Sequence, residues 1–178
     1  MIEGWFDGVC ERKTAAIVGE DAMLAWMAGI IDGEGTLTIA KQIRRGRPSP
    51  AFRVVVNVAN TDYRLLAPFK RYYGGAIYPR SERRRSKRWK PSWTWHCFDG
   101  NQRLFLEEIR PHLRGKHRQA DLLIRFIDRK RSFPRKSLGQ GKGSAPLGAR
   151  EISFRDRVWN AVRLLNEKGA YSRSRRLG

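Results

Sequence analysis

The sequence predicts an α+β domain with the element order α, two strands, α, two strands and then helices. Three observations predict it: two stretches in which apolar residues alternate with period two, helical runs closed by glycine or proline around them, and a loss of all periodicity after Arg131. On this reading the chain divides into an N-terminal extension (1–20), a core (21–131), a Gly/Pro-rich linker (132–150) and a C-terminal helix with a basic tail (151–178).

Residues 1–20 carry no sustained periodicity, although Trp5, Phe6, Val9 and Ile17 are apolar enough to pack locally. Asp21 is of the N-capping type and precedes a helical run, 22–31, rich in small residues and ended by Gly33 and Gly35. Over 36–45 the pattern alternates, with Leu37, Ile39 and Ile43 on one face and Thr38, Ala40, Gln42 and Arg44 on the other. RRGRPSP (44–50) reads as a turn, and Phe52, Val54, Val56 and Val58 resume the alternation, which makes a hairpin with Gln42, Arg44, Arg53 and Asn57 on its polar face. NTDYRLLAPFKRYYGG (60–75) reads as a helix from Thr61 or Asp62 that stops at Gly74, with Pro68 breaking the ladder or starting a fresh turn and a kink expected there. A second strand pair is expected around 77–80 and 92–98, joined by SERRRSKRWK (81–90). In its later strand Trp93, Trp95 and Cys97 alternate with Thr94, His96 and Phe98, and the parity leaves the buried face open. Helices over 101–109 and 116–127 follow, separated by Pro111 and Gly115, and a last helix sets Ile152, Phe154, Val158, Ala161, Val162 and Leu165 along one side.

Lys and Arg total 37 against 17 Asp and Glu, a formal charge of +20 that costs self-repulsion unless an anion offsets it. Most of these bases are arginine, whose planar fork grips phosphate and guanine edges, so the composition points to nucleic acid. The two cysteines, Cys10 and Cys97, have no partners at metal spacing and support neither a disulfide framework nor a zinc finger. The longest apolar run, 23–31, is bracketed by Asp21 and Asp32 and falls far below the roughly 20 residues that cross a bilayer. Glu3, Asp7 and Glu11 stand where an export signal would be basic and apolar, so the expectation is an intracellular, soluble protein without a membrane partner.

Against that basic background the stretch MAGIIDGEG (27–35) places two carboxylates at the end of an apolar helix. Acids there oppose the helix dipole and call for compensation, which divalent cations would supply. The plainer alternative is an amphipathic core helix with a glycine stop and incidental surface acids.

MAGIIDGEG resembles the signature of the LAGLIDADG homing endonucleases at Ala28, Gly29, Ile31, Asp32, Gly35 and the acid Glu34. A second segment, 109–127, is similar to the family's P-x-L-x-x-K-x-x-Q pattern at Pro111, Leu113, Lys116 and Gln119. The resemblance covers about residues 22–131. It implies the αββαββα LAGLIDADG fold with a saddle-shaped antiparallel sheet, here with additional C-terminal helices. A single signature implies a homodimer, with Ala25, Ala28 and Gly29 in the helix–helix seam and Asp32 capping and bracing the partner helix. It further implies that Glu34 of each subunit, helped by the Gly33 carbonyl, binds Mg²⁺ or another divalent cation such as Mn²⁺. Glu34 replaces the signature's second Asp and keeps an oxygen ligand, one methylene longer.

By matching flanks the resemblance adds Asn60, which would position water, Arg64, which would support the phosphate, and Lys116, near the scissile phosphate. Each has a plain alternative: Asn60 as a helix cap, Arg64 as a solvated cation, Lys116 as a first-turn cation. A β-ribbon fits the major groove, so Gln42, Arg44, Arg47, Arg53 and Asn57 of the first hairpin and Arg80, Arg83 and Arg85 of the second are the candidate DNA contacts, some to phosphate only. RRRSKR is open to two other readings, a solvated loop or a localisation signal. His96, His112 and His117 lack metal spacing and read as structural or phosphate-facing, and Trp93 and Trp95 as sheet-face residues. The implied function is site-specific hydrolysis of double-stranded DNA at a long, pseudo-palindromic target, leaving 3′ overhangs, in an intron-encoded protein. The alternative is an intron RNA-splicing maturase, or a non-cleaving DNA-binding protein, on the same scaffold.

Overall fold

A computed structural model describes residues 7–43, 45–46, 49–80, 90–133 and 145–167, with side chains from residue 19 onward. In chain order the elements are α1 (Asp7–Glu34), β1 (Gly35–Gln42), β2 (Ala51–Asn60), α2 (Ala67–Tyr73), β3 (Ala76–Pro79), β4 (Trp93–His96), α3 (Gln102–Ile109), α4 (His117–Ser132) and α5 (Ala149–Asn166). Short 3₁₀ turns at Tyr63–Leu65 and Arg110–His112 precede α2 and follow α3. This is the expected αββαββα order with two further helices, and the strands form one antiparallel four-stranded sheet ordered β1-β2-β4-β3.

The pairing Leu37↔Val56, Ile39↔Val54 and Lys41↔Phe52 puts the apolar residues of the first hairpin on one face, against which α1, α4 and α5 pack. Met27, Ile31, Phe105, Leu106, Leu123 and Phe126 fill the space between, all fully buried. The parity left open in β4 resolves with Trp95 and Cys97 inward. Trp95 is wholly buried between the rings of Phe69 (5.0 Å) and Phe105 (5.3 Å), and its indole N–H donates to the Gly74 carbonyl at 2.8 Å. That packing requires Gly75, whose φ is +85° and whose missing Cβ would lie 2.2 Å from the His96 oxygen.

Three local expectations are corrected. The first helix starts at Asp7 rather than at Asp21, which lies within it; no proline interrupts 7–34, and the lack of a clear apolar stripe hid the helix from a periodicity reading. No α-helix starts at Thr61 or Asp62: a 3₁₀ turn covers Tyr63–Leu65, and of the two outcomes expected at Pro68 the structure has the fresh turn, α2 beginning with Pro68 where a missing N–H costs nothing. Ile43 is 84% exposed instead of facing inward, since the ladder ends at Gln42. Lys41 takes the last inward position instead, running its stem past Phe52 to hold its ammonium against Asp156 and over the Trp159 ring.

The C-terminal helix α5 packs on α4 and β1, with Val158 and Val162 in the core. Buried Glu151 accepts from Arg129 of α4 (3.0 Å) and from Arg155 (2.8 Å), and Asn166 donates its amide to the Leu37 carbonyl at 2.9 Å.

Candidate active site

Strand β1 follows α1 without an intervening residue, and Gly35 makes this turn feasible. A Cβ there would meet the Cα and carbonyl oxygen of Ile31 at 2.7 Å. Helix ends leave orphan carbonyls. Here Lys116 meets them: its Nζ donates to the carbonyls of Ile31 (2.7 Å), Asp32 (2.8 Å) and Gly35 (2.8 Å). Asp32 answers in the opposite direction, its carboxylate accepting the backbone N–H groups of Arg114 (2.7 Å), Gly115 (3.1 Å) and Lys116 (2.8 Å) at the entry to α4. A cation thus caps the negative end of α1 and an anion the positive end of α4. Burial lowers the pKa of Lys116, and the nearby carboxylates of Asp32 and Glu34 work against that shift.

The interlock places Asp32 differently from the expectation that it braces a partner helix: its hydrogen bonds are to α4 of its own chain. Ala28 is likewise corrected, because it is fully buried in the chain's own core and does not lie on an outer face. Ala25 and Gly29 are exposed, and the Cβ positions of Gly29 and Gly33 look onto open space. Glu34 is exposed at the last position of α1 and, among the described residues, has no hydrogen-bond or ion-pair partner.

The pair Gly35↔Val58 sets Asn60 at the same end of the sheet as Glu34. Asn60 Oδ1 accepts the Asp62 N–H (2.8 Å), and Asp62 in turn accepts the Arg64 N–H (2.9 Å) and its guanidinium (2.8 Å). Arg64 therefore ends an exposed chain of hydrogen bonds, and its side chain holds the Asp62 carboxyl below the usual carboxylate range. Asp62 is a member of the site that the sequence reading missed; the N-T-D spacing, typical of side chains that fold back on a turn, was its signal.

On the outer face of the sheet the register aligns Thr36, Asn57, His96 and Ala76 in one row. Gln42 and Arg53 stand further along the same face, both exposed, and Arg80 lies just beyond β3, its N–H donating to the Ser92 carbonyl at 2.8 Å. Arg44, Arg47, Arg83 and Arg85 lie outside the described residues. Where β4 ends, a hollow of about 500 Å³ opens between Arg53, Tyr78, His96 and Phe98. The Tyr78 and His96 rings sit 5.8 Å apart, and burial, then Arg53, lower the His96 pKa. Tyr78 joins the face unforeseen, and His96, expected as structural or phosphate-facing, stands beside it, because the strand parity that places them depends on where Trp95 packs.

Among the described residues no three His, Cys, Asp or Glu side chains gather at metal-binding distance. The donors that suit a hard divalent cation are the exposed Glu34 carboxylate and the Gly33 carbonyl beside it, since Lys116 occupies those of Ile31, Asp32 and Gly35. One chain offers a single such carboxylate, since Asp32 is engaged three times over.

An acid-terminated helix running straight into a four-stranded sheet, with a lysine from a later helix locking the junction, defines the class: this is the LAGLIDADG homing-endonuclease fold. The archaeal intron-encoded homing endonuclease I-Vdi141I, solved with DNA, superposes at TM-score 0.65 and 14% identity over 84% of this chain and 87% of its own. The homing endonuclease I-CvuI, solved with its target and Ca, superposes at 0.64 with 18% identity over 84% and 85%. With a different target and Mg, in a complex whose DNA is not cleaved, I-CvuI gives 0.62 and 20% over 83% and 85%. No protein-family model and no curated protein matches the sequence. No helix among the described residues is long and apolar enough to cross a membrane.

Proposed function

We propose that the chain is a site-specific double-strand DNA endonuclease that works as a homodimer with a divalent cation. The observation that carries this reading is the placement of Glu34: a carboxylate without a partner among the described residues, at the end of α1 where Lys116 locks the junction, on a fold shared with I-CvuI and I-Vdi141I, both solved with DNA. Two chains meeting along the exposed Ala25–Gly29 side of α1 would bring two such carboxylates together. Small residues permit that approach.

In this reading Glu34 and the Gly33 carbonyl would hold Mg²⁺ or Mn²⁺, which when bound supplies Lewis-acid stabilisation of charge on the phosphate oxygens. The chain's own residues do the rest. Asn60, whose Oδ1 is fixed by the Asp62 N–H, presents its amide nitrogen to orient a water. Arg64, exposed and held by Asp62, exchanges that partner for a phosphate oxygen. Lys116 keeps the α1–β1 carbonyls in place and so fixes where Glu34 points. Gln42, Arg53 and Asn57 on the outer sheet face read base edges, with Arg80 and the arginines of the two connecting loops adding base or phosphate contacts. The remaining implied features, 3′ overhangs, a pseudo-palindromic target and an intron setting, follow from the same resemblance.

The test is cleavage of a randomised duplex library by purified protein with Mg²⁺, followed by sequencing of the ends. The reading expects double-strand cuts at one recurrent, roughly symmetric site, abolished by Glu34→Gln with DNA affinity retained. Absence of cutting by the parent, with tighter binding to intron RNA than to any duplex, would replace it with the splicing or binding role.

A further inference from the structure

The outer surface of the α4–α5 pair carries a second basic feature, separate from the site above. A groove of about 780 Å³ runs between the C-terminal half of α4 and the N-terminal half of α5. Arg125 and Arg129 line one wall, Arg150 and Arg157 the other, with Phe154 at the floor. Two acids lie close, and both are committed elsewhere: Asp128 is held by Arg103 at 2.6 Å, and Glu151 is buried between Arg129 and Arg155. Arg150 and Arg157 have no acidic or hydrogen-bonding partner among the described residues, and Arg125 contacts only the face of Phe154, at 5.8 Å. The guanidinium of Arg129 lies 5.5 Å from the same ring. Alpha helix 5 also starts here with Gly148 as its N-cap and no capping side chain, so its positive end adds to the field over Ala149 and Arg150.

Arg129 is offset by Glu151, but Arg125, Arg150 and Arg157 around the same groove repel each other unless an anion occupies it. A compact anion would meet only one or two of them, whereas a chain of phosphates meets both walls in turn. A basic groove with an aromatic ring in it suits a single strand, whose backbone follows the charge while an unpaired base can stack. No Asn or Gln lines the groove, so nothing there makes the paired contact that reads adenine, and its exposed arginines are free to follow phosphates instead. Because α4 packs on the inner face of the sheet, the groove and the Gln42–Arg53–Asn57 face are on different sides of the molecule.

We infer that the α4–α5 groove is a second nucleic-acid site, which takes the sugar–phosphate backbone of a single strand without regard to sequence. Arg150, Arg157 and Arg125 contact successive phosphates, Phe154 lies against the Arg125 guanidinium and offers a surface for base stacking, and Arg129 is held by Glu151 and the Phe133 ring at 3.9 Å. The inference stands on the groove alone and does not require the protein to cut DNA.

The experiment measures fluorescence anisotropy of labelled 20-mer single strands, one DNA and one RNA of mixed sequence, against the intact chain over a salt series. The parent is compared with Arg150→Glu/Arg157→Glu and with a control of equal charge change on α2, Lys70→Glu/Arg71→Glu, where both residues are exposed. A milder pair, Arg150→Gln/Arg157→Gln, guards against misfolding, and circular dichroism checks each protein. The groove reversal is expected to weaken both strands at least about tenfold and to lower the salt slope by about 1–2, with the control within about twofold of the parent. Equal losses in the groove and control variants, or no loss in the groove variants, would overturn the proposal by assigning the binding to general surface charge.

Discussion

Lys116 donates its ammonium to three backbone carbonyls at the α1–β1 junction, so at the residue scale it is a positioning residue as much as a cation. Lys116→Met is expected to lower unfolding free energy by about 3 kcal/mol, because charge-assisted bonds to orphan carbonyls are lost together. In DNA binding the variant should keep the parent's salt slope, measured by titration at several salt concentrations. Loss of a direct phosphate contact would instead reduce that slope by about 1. His96 gives a second expectation. Burial and Arg53 depress its pKa below the ordinary 6.5, so below that pH the unfolded chain takes up more protons than the folded one. Stability should therefore hold above about pH 6.5 and fall as the pH drops from there toward the folded pKa, as followed by urea midpoints; His96→Gln should remove that component. Asp32, Glu34 and Lys116 were legible from two short motifs. Their pairing was not, because nothing in the spacing says that Asp32 caps its own α4 or that Asp62 links Asn60 to Arg64.

Between elements, the contacts that fix the site are close approaches and one buried charge cluster. Gly35→Ala would force a methyl to 2.7 Å from the Ile31 backbone, and the shift needed to relieve it should cost about 2 kcal/mol and disturb Glu34 directly. Glu151→Ala should cost more, about 3–5 kcal/mol in thermal or denaturant unfolding, because Arg155, 3% exposed, would be left in the core without its acid. The first hairpin was legible because one face is buried and the other solvated, so its residues alternate. The first half of α1 was not, since a helix without an apolar stripe offers no period to detect. Nor was the docking of α5: the Gly/Pro-rich stretch before it suggested separation, whereas Val158, Val162 and the Glu151 cluster join it to α4 and β1. The orientation of β4 depended on Trp95, whose bulk fits only the space between Phe69 and Phe105.

For the whole molecule, the charge of +20 and the αββαββα order were both legible in the sequence, and the nucleic-acid partner is the proposal that both support. In the proposed function one chain holds half of a centre, because among the described residues a single unpartnered carboxylate stands at the end of α1. The central claim is that two copies of Glu34 act together on one duplex. Mixing parent and Glu34→Gln chains in varying ratio, re-equilibrating them, and measuring double-strand cleavage of a selected target tests this most directly. Paired action predicts that cleavage falls as the square of the parent fraction, to about one quarter in an equal mixture. A fall in simple proportion, to about half, would mean that each chain cuts alone and would contradict the account.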